Sequence, residues 1–176
     1  QLAMSYFHAY DTPVSIVRPF NTYGPRQSMR AVIPTIIAQI ASGQKTIKLG
    51  SLTPTRDFNY VSDIVRGFIL AAKSDQCIGH AINLGSNFEI SIGETMELIS
   101  GIMKVQVETE KEDERVRPDN SEVERLWACN LKAKEILGWA PVYGGRAGFV
   151  KGLEETTAWF SNANNLKSYK ANIYNI

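Results

Sequence analysis

The chain has 176 residues, of which 44% are hydrophobic and 21% charged, and a formal net charge of +1. This is the size and make-up of about one globular domain. The near-neutral charge excludes bulk attraction to nucleic acid or an anionic membrane, and no apolar run nears the roughly 18 residues of a spanning helix. Cys77 and Cys129 read as reduced thiols of a cytoplasmic protein, and they share no zinc-ligand spacing with His8 and His80.

In chain order, Gln1–Tyr10 reads as the second half of an amphipathic helix with no N-cap, and lacks the basic and apolar regions of a signal peptide. Val14–Val17 is an apolar run of strand type. Pro19, Gly24 and Pro25 then stop regular structure and leave a polar-tipped loop, the place where open α/β sheets bind ligands. Ala31–Ser42 carries a helical stripe of Val32, Ile33, Ile36, Ile37 and Ile40, with Pro34 tolerable in the first turn and Gly43 as the stop. Thr46–Leu49 is a short strand and Arg56–Val61 is extended. Ser62 or Asp63 is expected to cap a helix to about Lys73, with Ile64, Val65, Phe68, Ile69 and Ala72 inward.

His80–Leu84 is a strand closed by Gly85-Ser86-Asn87. Ser91 and Glu94 form a capping box for a helix to about Met103. Val105–Thr109 alternates like an edge strand, and Glu108–Glu114 is a solvated charge run. Asn130 caps Leu131–Leu137, and Gly138 ends it. A last helix, Gly145–Ser161, lines up Phe149, Val150, Leu153 and Phe160. Residues 162–176 read as a surface arm. The alternation of strands and helices predicts an α/β fold.

Three polar clusters carry chemistry: Asn21 with Tyr23 and Arg26; Arg56-Asp57-Phe58-Asn59-Tyr60; and Arg115 to Glu122. Arginine forks suit bidentate contact with phosphate, and several in one cleft would suit a diphosphate. A surface ion pair is the simpler explanation of each arginine, the more so for Arg115 and Arg117 beside the acidic run. The sequence contains no glycine-rich phosphate loop, no Gly-x-Ser-x-Gly elbow and no Cys/His catalytic pattern.

The order of these motifs carries a resemblance. Arg18-Pro-Phe-Asn-Thr-Tyr-Gly-Pro-Arg26, Arg56-Asp-Phe-Asn-Tyr-Val-Ser-Asp63, Asn83-Leu-Gly-Ser86, and Arg117-Pro-Asp-Asn-Ser-Glu122 followed by Lys132-Ala-Lys-Glu-Ile-Leu-Gly-Trp139 resemble successive segments of the NAD-dependent sugar-nucleotide epimerases/dehydratases. These belong to the extended short-chain dehydrogenase/reductase family. Loop residues 23–28 and 49–58 are most similar to 4,6-dehydratases acting on nucleotide-linked N-acetylglucosamine, which serve surface-sugar synthesis.

The resemblance implies that Asn21, Arg56 and Arg117 hold the diphosphate of a nucleotide-diphosphate sugar. Val32 and the backbone around Ile47 and Leu49 would line the nucleobase pocket. Pro19, Phe20 and Asn21 would border the nicotinamide of NAD. Dehydratase, epimerase and decarboxylase stay unseparated.

The family's glycine-rich NAD loop and Tyr-x-x-x-Lys pair have no counterpart in the sequence. The expectation is therefore a C-terminal half: residues 1–22 a Rossmann remnant, 23–161 mainly a small substrate-binding domain with 80–86 returning a strand to the Rossmann sheet, and 162–176 an arm. Such a chain would be an inactive fragment that binds no NAD alone, contains no catalytic residue or metal, and forms a homo-oligomer through apolar surface on Gln1–Tyr10 and Val14–Val17. A second reading is a non-catalytic nucleotide-sugar-binding or self-associating module.

Overall fold

A computed structural model describes residues 1–112 and 123–166. The elements in chain order are α1 (Leu2–Tyr10), β1 (Ile16–Pro19), β2 (Thr22–Tyr23), α2 (Val32–Ala41), β3 (Thr46–Leu49), β4 (Thr55–Arg56), β5 (Asn59–Tyr60), α3 (Val61–Ala72), β6 (Ala81–Leu84), β7 (Ile90–Ser91), α4 (Ile92–Met103), β8 (Glu108–Lys111), β9 (Arg125–Leu126), α5 (Leu131–Leu137), α6 (Gly145–Ser161) and α7 (Ala163–Leu166). The chain forms two compact units. One comprises Gln1–Thr22, Asp57–Glu89 and Trp127–Phe149, the other Tyr23–Arg56, Ile90–Leu126 and Val150–Ile176.

The first unit is built on a parallel pair, β1 and β6, in the register Ile16↔Ala81 to Pro19↔Leu84. Ile82, Leu84, Ile64, Ala71, Cys77, Ala133 and Trp139 make its core, with Val17, Leu70, Ile136 and Leu137 against it. α3 lies close to β6 because Gly67 faces Leu84: a Cβ at residue 67 would overlap the Leu84 methyls. This close approach turns the helix from its expected orientation. The sequence places Val65, Phe68, Ile69 and Ala72 inward, but the buried residues are Asp63, Ile64, Gly67 and Ala71. Val65, Phe68 and Ile69 are 50%, 44% and 49% exposed.

Neither Ser62 nor Asp63 caps α3. Tyr60 occupies the N-cap without a side-chain bond, and the Asp63 carboxylate serves other donors. It accepts the Val142 N–H (2.9 Å), the Tyr143 N–H (2.8 Å) and the Arg66 guanidinium (3.1 Å). The Asp63 carbonyl accepts the indole N–H of Trp139 at 2.9 Å. Arg66 also donates to the Ala140 carbonyl and lies 5.9 Å over the Trp139 ring. A buried indole that satisfies its N–H gains apolar area without an orphaned donor. Asn130 occupies the N-cap of α5 but sends its amide to the Gly85 carbonyl (2.8 Å) rather than capping the helix, and Gly138 ends α5 in the left-handed region at φ 59.

The second unit is built on α2, whose residues 33–40 are all buried. Pro34 falls in the first turn, where its missing N–H would have no intrahelical partner in any case. β3 alternates exposed and buried residues and pairs in parallel with β8, Thr46↔Glu108 to Leu49↔Lys111. On its other side the buried Gln39 amide acts as a short surrogate strand: it accepts the Lys48 N–H at 2.9 Å and donates to the Lys48 carbonyl at 3.2 Å. β8 begins later than the alternation at Val105–Thr109 suggests. Lys104 takes a left-handed conformation (φ 56), and Val105 is tied back to Ser100 through backbone and hydroxyl, so extended structure starts only beyond it. β4 pairs antiparallel with β7 and parallel with β9. The capping box of α4 forms in both directions, Glu94 N–H to Ser91 Oγ (3.1 Å) and Ser91 N–H to Glu94 Oε2 (3.2 Å).

The tight contact at Gly67 gives an expected outcome: Gly67→Ala destabilises the protein by about 1–3 kcal/mol through overpacking against Leu84. Urea unfolding checks this, with Gly101→Ala, where a Cβ meets nothing within 4 Å, as the control of unreduced stability.

Candidate functional site

The carboxyl ends of β1 and β6 lead into two loops, and a third segment of the first unit meets them. After Pro19, the Phe20 N–H donates to the Leu84 carbonyl at 3.0 Å, so the β1 exit stays bound to the β6 exit. The Asn21 carbonyl then accepts the Asn59 N–H at 2.8 Å. Pro19 is exposed, while Phe20 and Asn21 are half-buried. Asn21 is thus held by its backbone just beyond the end of β1.

The group that gathers these loops is Asp57, 0% exposed. Its Oδ1 accepts the Ser86 N–H (2.8 Å), the Ser86 hydroxyl (2.7 Å) and the Asn59 amide (3.0 Å), and its Oδ2 accepts the Ala128 N–H (3.2 Å). One carboxylate therefore joins the β6 exit, the start of β5 and the segment before α5. The glycine of the Asn-Leu-Gly motif follows from this arrangement: a Cβ at residue 85 would overlap Ala128 and lie 3.1 Å from Asp57 Oδ2. Burial pushes the Asp57 carboxyl above its ordinary value of 3.8, while the donors on Ser86, Ala128 and Asn59 pull it back in part. Beside this network Phe58 stacks on Phe149 with ring centroids 5.6 Å apart, and Tyr60 lies 4.2 Å from Tyr143.

The other site residues expected from sequence lie in the second unit. Val32 is half-buried at the first position of α2. Ile47 and Leu49 point into the core from β3, and the Leu49 carbonyl accepts the Glu112 N–H at 2.9 Å, so this backbone is engaged with β8. Arg56 lies on β4 and its Nη1 donates to the Val123 carbonyl at 2.6 Å and to the Thr55 carbonyl at 2.8 Å. The guanidinium thus fixes the chain at 123. Arg117, with Arg115 and the rest of that cluster to Glu122, lies outside the described residues. Among the described residues no group of His, Cys, Asp or Glu could hold a metal ion, Cys77 and Cys129 are both free thiols, and no helix is long and apolar enough to cross a membrane.

Sequence reasoning quoted Asp57 and Ser86 only as letters in motifs. The available signal was an aspartate between an arginine and an apolar residue in an extended segment, a place where a carboxylate either is solvated or finds donors. Which donors it finds, 29 and 71 residues away, depends on chain crossings that no local pattern encodes.

Comparison with known proteins follows the same motifs. The family model described as GDP-mannose 4,6 dehydratase matches residues 1–151. The chain is similar to human dTDP-D-glucose 4,6-dehydratase, 33% identical over 93% of this chain and 46% of the relative. It is also similar to the UDP-glucuronate 4-epimerase of Thermodesulfobacterium geofontis, 32% identical over 96% of this chain and 50% of the relative. Among solved structures, dTDP-glucose 4,6-dehydratase of Bacillus anthracis in complex with NAD superposes with a TM-score of 0.84 at 26% identity, over 96% of this chain and 51% of that one. An epimerase from Methanothermobacter thermautotrophicus does so with a TM-score of 0.80 at 30% identity, over 94% and 48%. The chain spans about half the length of these relatives.

These matches correct the expectation of a C-terminal half made of a Rossmann remnant and a small domain. The solved structures match 89% to 96% of this chain, so the family's α/β fold runs continuously through nearly all of it. The same coverage corrects the expectation of an inactive fragment. The relatives include dehydratases, epimerases and decarboxylases, and none of the relatives named above is the N-acetylglucosamine 4,6-dehydratase favoured by the loop residues.

The sign of the Asp57 shift sets a pH dependence. A carboxyl raised in the folded state holds its proton more tightly than in the unfolded chain. Its stabilising contribution is fully present below 3.8 and is lost as pH rises through the raised value. The stability of the wild type relative to Asp57→Asn should therefore fall with rising pH across that window, by up to ~1.4 kcal/mol per pH unit. Paired urea titrations from acid to neutral pH measure this difference.

Proposed function

Because the chain belongs to the GDP-mannose 4,6 dehydratase family, we propose that it acts on a nucleotide-diphosphate sugar in NAD-dependent dehydratase or epimerase chemistry. The observation that carries this reading is the family match over residues 1–151, a range that includes the loop after β1 and the Arg56-Asp57 segment. Asn21 donates its amide to the diphosphate, and Arg56 and Arg117 neutralise it. Charge-assisted bonds from guanidinium to phosphate are about twice as strong as neutral ones, so the arginines dominate affinity. Val32 and the chain around Ile47 and Leu49 border the base.

The residues at the end of β1 fit the edge of a nicotinamide ring. Pro19 and the half-buried Phe20 offer apolar surface, and the adjacent Asn21 offers an amide. NAD, when bound, supplies the hydride acceptor for the sugar carbon. The part assigned to this chain is to orient the sugar nucleotide against that ring and to keep water from its apolar side. An oligomer fits the same reading: α1 buries none of its residues, and Leu2, Tyr6 and Tyr10 are 75%, 52% and 73% exposed, an apolar face suited to a second copy.

Calorimetric titration with UDP-glucose, dTDP-glucose and GDP-mannose, with and without NAD, tests the binding claim. At least one should bind, and product analysis should show a 4-keto or C4-inverted sugar. No binding by any of the three overturns the reading. Arg56→Ala should weaken binding by about 1.5–3 kcal/mol and Asn21→Ala by about 0.5–1.5 kcal/mol.

Self-association is checked by light scattering: a homo-oligomer is expected, and Tyr6→Lys should shift it toward monomer by placing a charge in the apolar face.

A further inference from the structure

Asn59 is 2% exposed, and its Oδ1 has no hydrogen-bond partner among the described residues. A buried amide oxygen left unmet costs free energy. The other end of the side chain explains what holds it in place. Its Nδ2 donates twice to one residue, to the Asp57 carbonyl at 3.1 Å and to the Asp57 Oδ1 at 3.0 Å. The backbone N–H of Asn59 points the other way and donates to the Asn21 carbonyl at 2.8 Å. Asn21, Asn59 and Asp57 thus form one continuous line of hydrogen bonds, closed at its far end by Ser86 and Ala128.

We propose that Asp57 and Asn59 are positioning residues that set the Asn21 amide for its ligand. This rests on the reading of Asn21 as a donor to the diphosphate. Asp57 is wholly buried and its carboxylate accepts from four donors among the described residues, so it acts through the chain it fixes. Its four bonds reach residues 59, 86 and 128, which gives it one rigid location. Asn59 passes that location to Asn21 through its backbone N–H. A donor turned out of line with its acceptor weakens even a charge-assisted bond. The orphaned Asn59 oxygen is the cost of this arrangement: the amide is oriented by Asp57 and not by the sum of its own contacts.

Asp57→Asn is the direct variant, since it replaces one acceptor oxygen with a donor facing donors. Ser86→Ala removes one of the four bonds with little change of shape and serves if Asp57→Asn does not fold. Amide hydrogen exchange reads the line without any ligand. The proposal expects the Asn59 amide to lose protection in either variant by about tenfold or more while that of Ile82 in the core is unchanged. Unchanged exchange at Asn59 overturns it.

Affinity for UDP-glucose and dTDP-glucose gives the second arm as a double-mutant cycle. Asp57→Asn, or Ser86→Ala, should weaken binding about tenfold in the Asn21 background and less than about twofold in the Asn21→Ala background. Equal losses in both backgrounds would show a general structural effect and overturn the positioning role. If Asn21→Ala alone leaves affinity unchanged, the assignment of Asn21 to the diphosphate fails, and the exchange arm still decides whether Asp57 sets the Asn59–Asn21 bond.

Discussion

A carboxylate sealed from water and met by four donors is the constraint on which the first unit depends. Ionised carboxylates in apolar interiors are costly unless their lone pairs are satisfied. Asp57 meets that condition with the Ser86 N–H and hydroxyl, the Asn59 amide and the Ala128 N–H. Satisfying it forces three segments distant in sequence to one point. Gly85 follows, because nothing larger fits between Asp57 and Ala128. The loop after β1 follows too, because Asn59 carries the geometry on to Asn21.

The same motif contains a second device of this kind. Asp63, six residues on, is also buried, and it fixes the chain at Val142 and Tyr143 while its carbonyl seats Trp139. Trp139 is wholly buried and packs with α3 and β6. Removing a side chain of that size from a core costs about 3–5 kcal/mol. Together the two aspartates couple the β5–α3 segment to the chain before and after α5. An arginine beside the first of them, Arg56, spends a guanidinium N–H on the Val123 carbonyl.

The family relation joins these observations to chemistry through loops rather than through the core. In α/β folds the core sets where strands end, and the loops at those ends set what is bound. Solved structures that differ in substrate and reaction as named, a dTDP-glucose 4,6-dehydratase and a UDP-glucuronic acid 4-epimerase, superpose on this chain with TM-scores of 0.84 and 0.79. A network that pins loop bases while leaving their tips to vary suits such a family.

Much of the fold was legible from residues alone, and for local reasons. β3 at Thr46–Leu49, α5 at Leu131–Leu137, α6 at Gly145–Ser161 and the Ser91–Glu94 capping box depend on alternation, turn residues and caps within a few positions. The motif order that carries the family was legible too, since it lies in the sequence itself. What failed locally failed where a distant partner decided. α3 turned its broad apolar stripe outward because Gly67 could approach Leu84 more closely than any larger residue. Asp63 left its expected cap for N–H groups 79 and 80 residues away. The late start of β8 is the local exception, since Lys104 and Ser100 hold Val105. Composition and period determine that such residues want a helix, a strand or a partner. Only the tertiary structure decides which donor reaches a buried carboxylate, because burial makes an unmet charge costly and the chain crossing that meets it has no local signature.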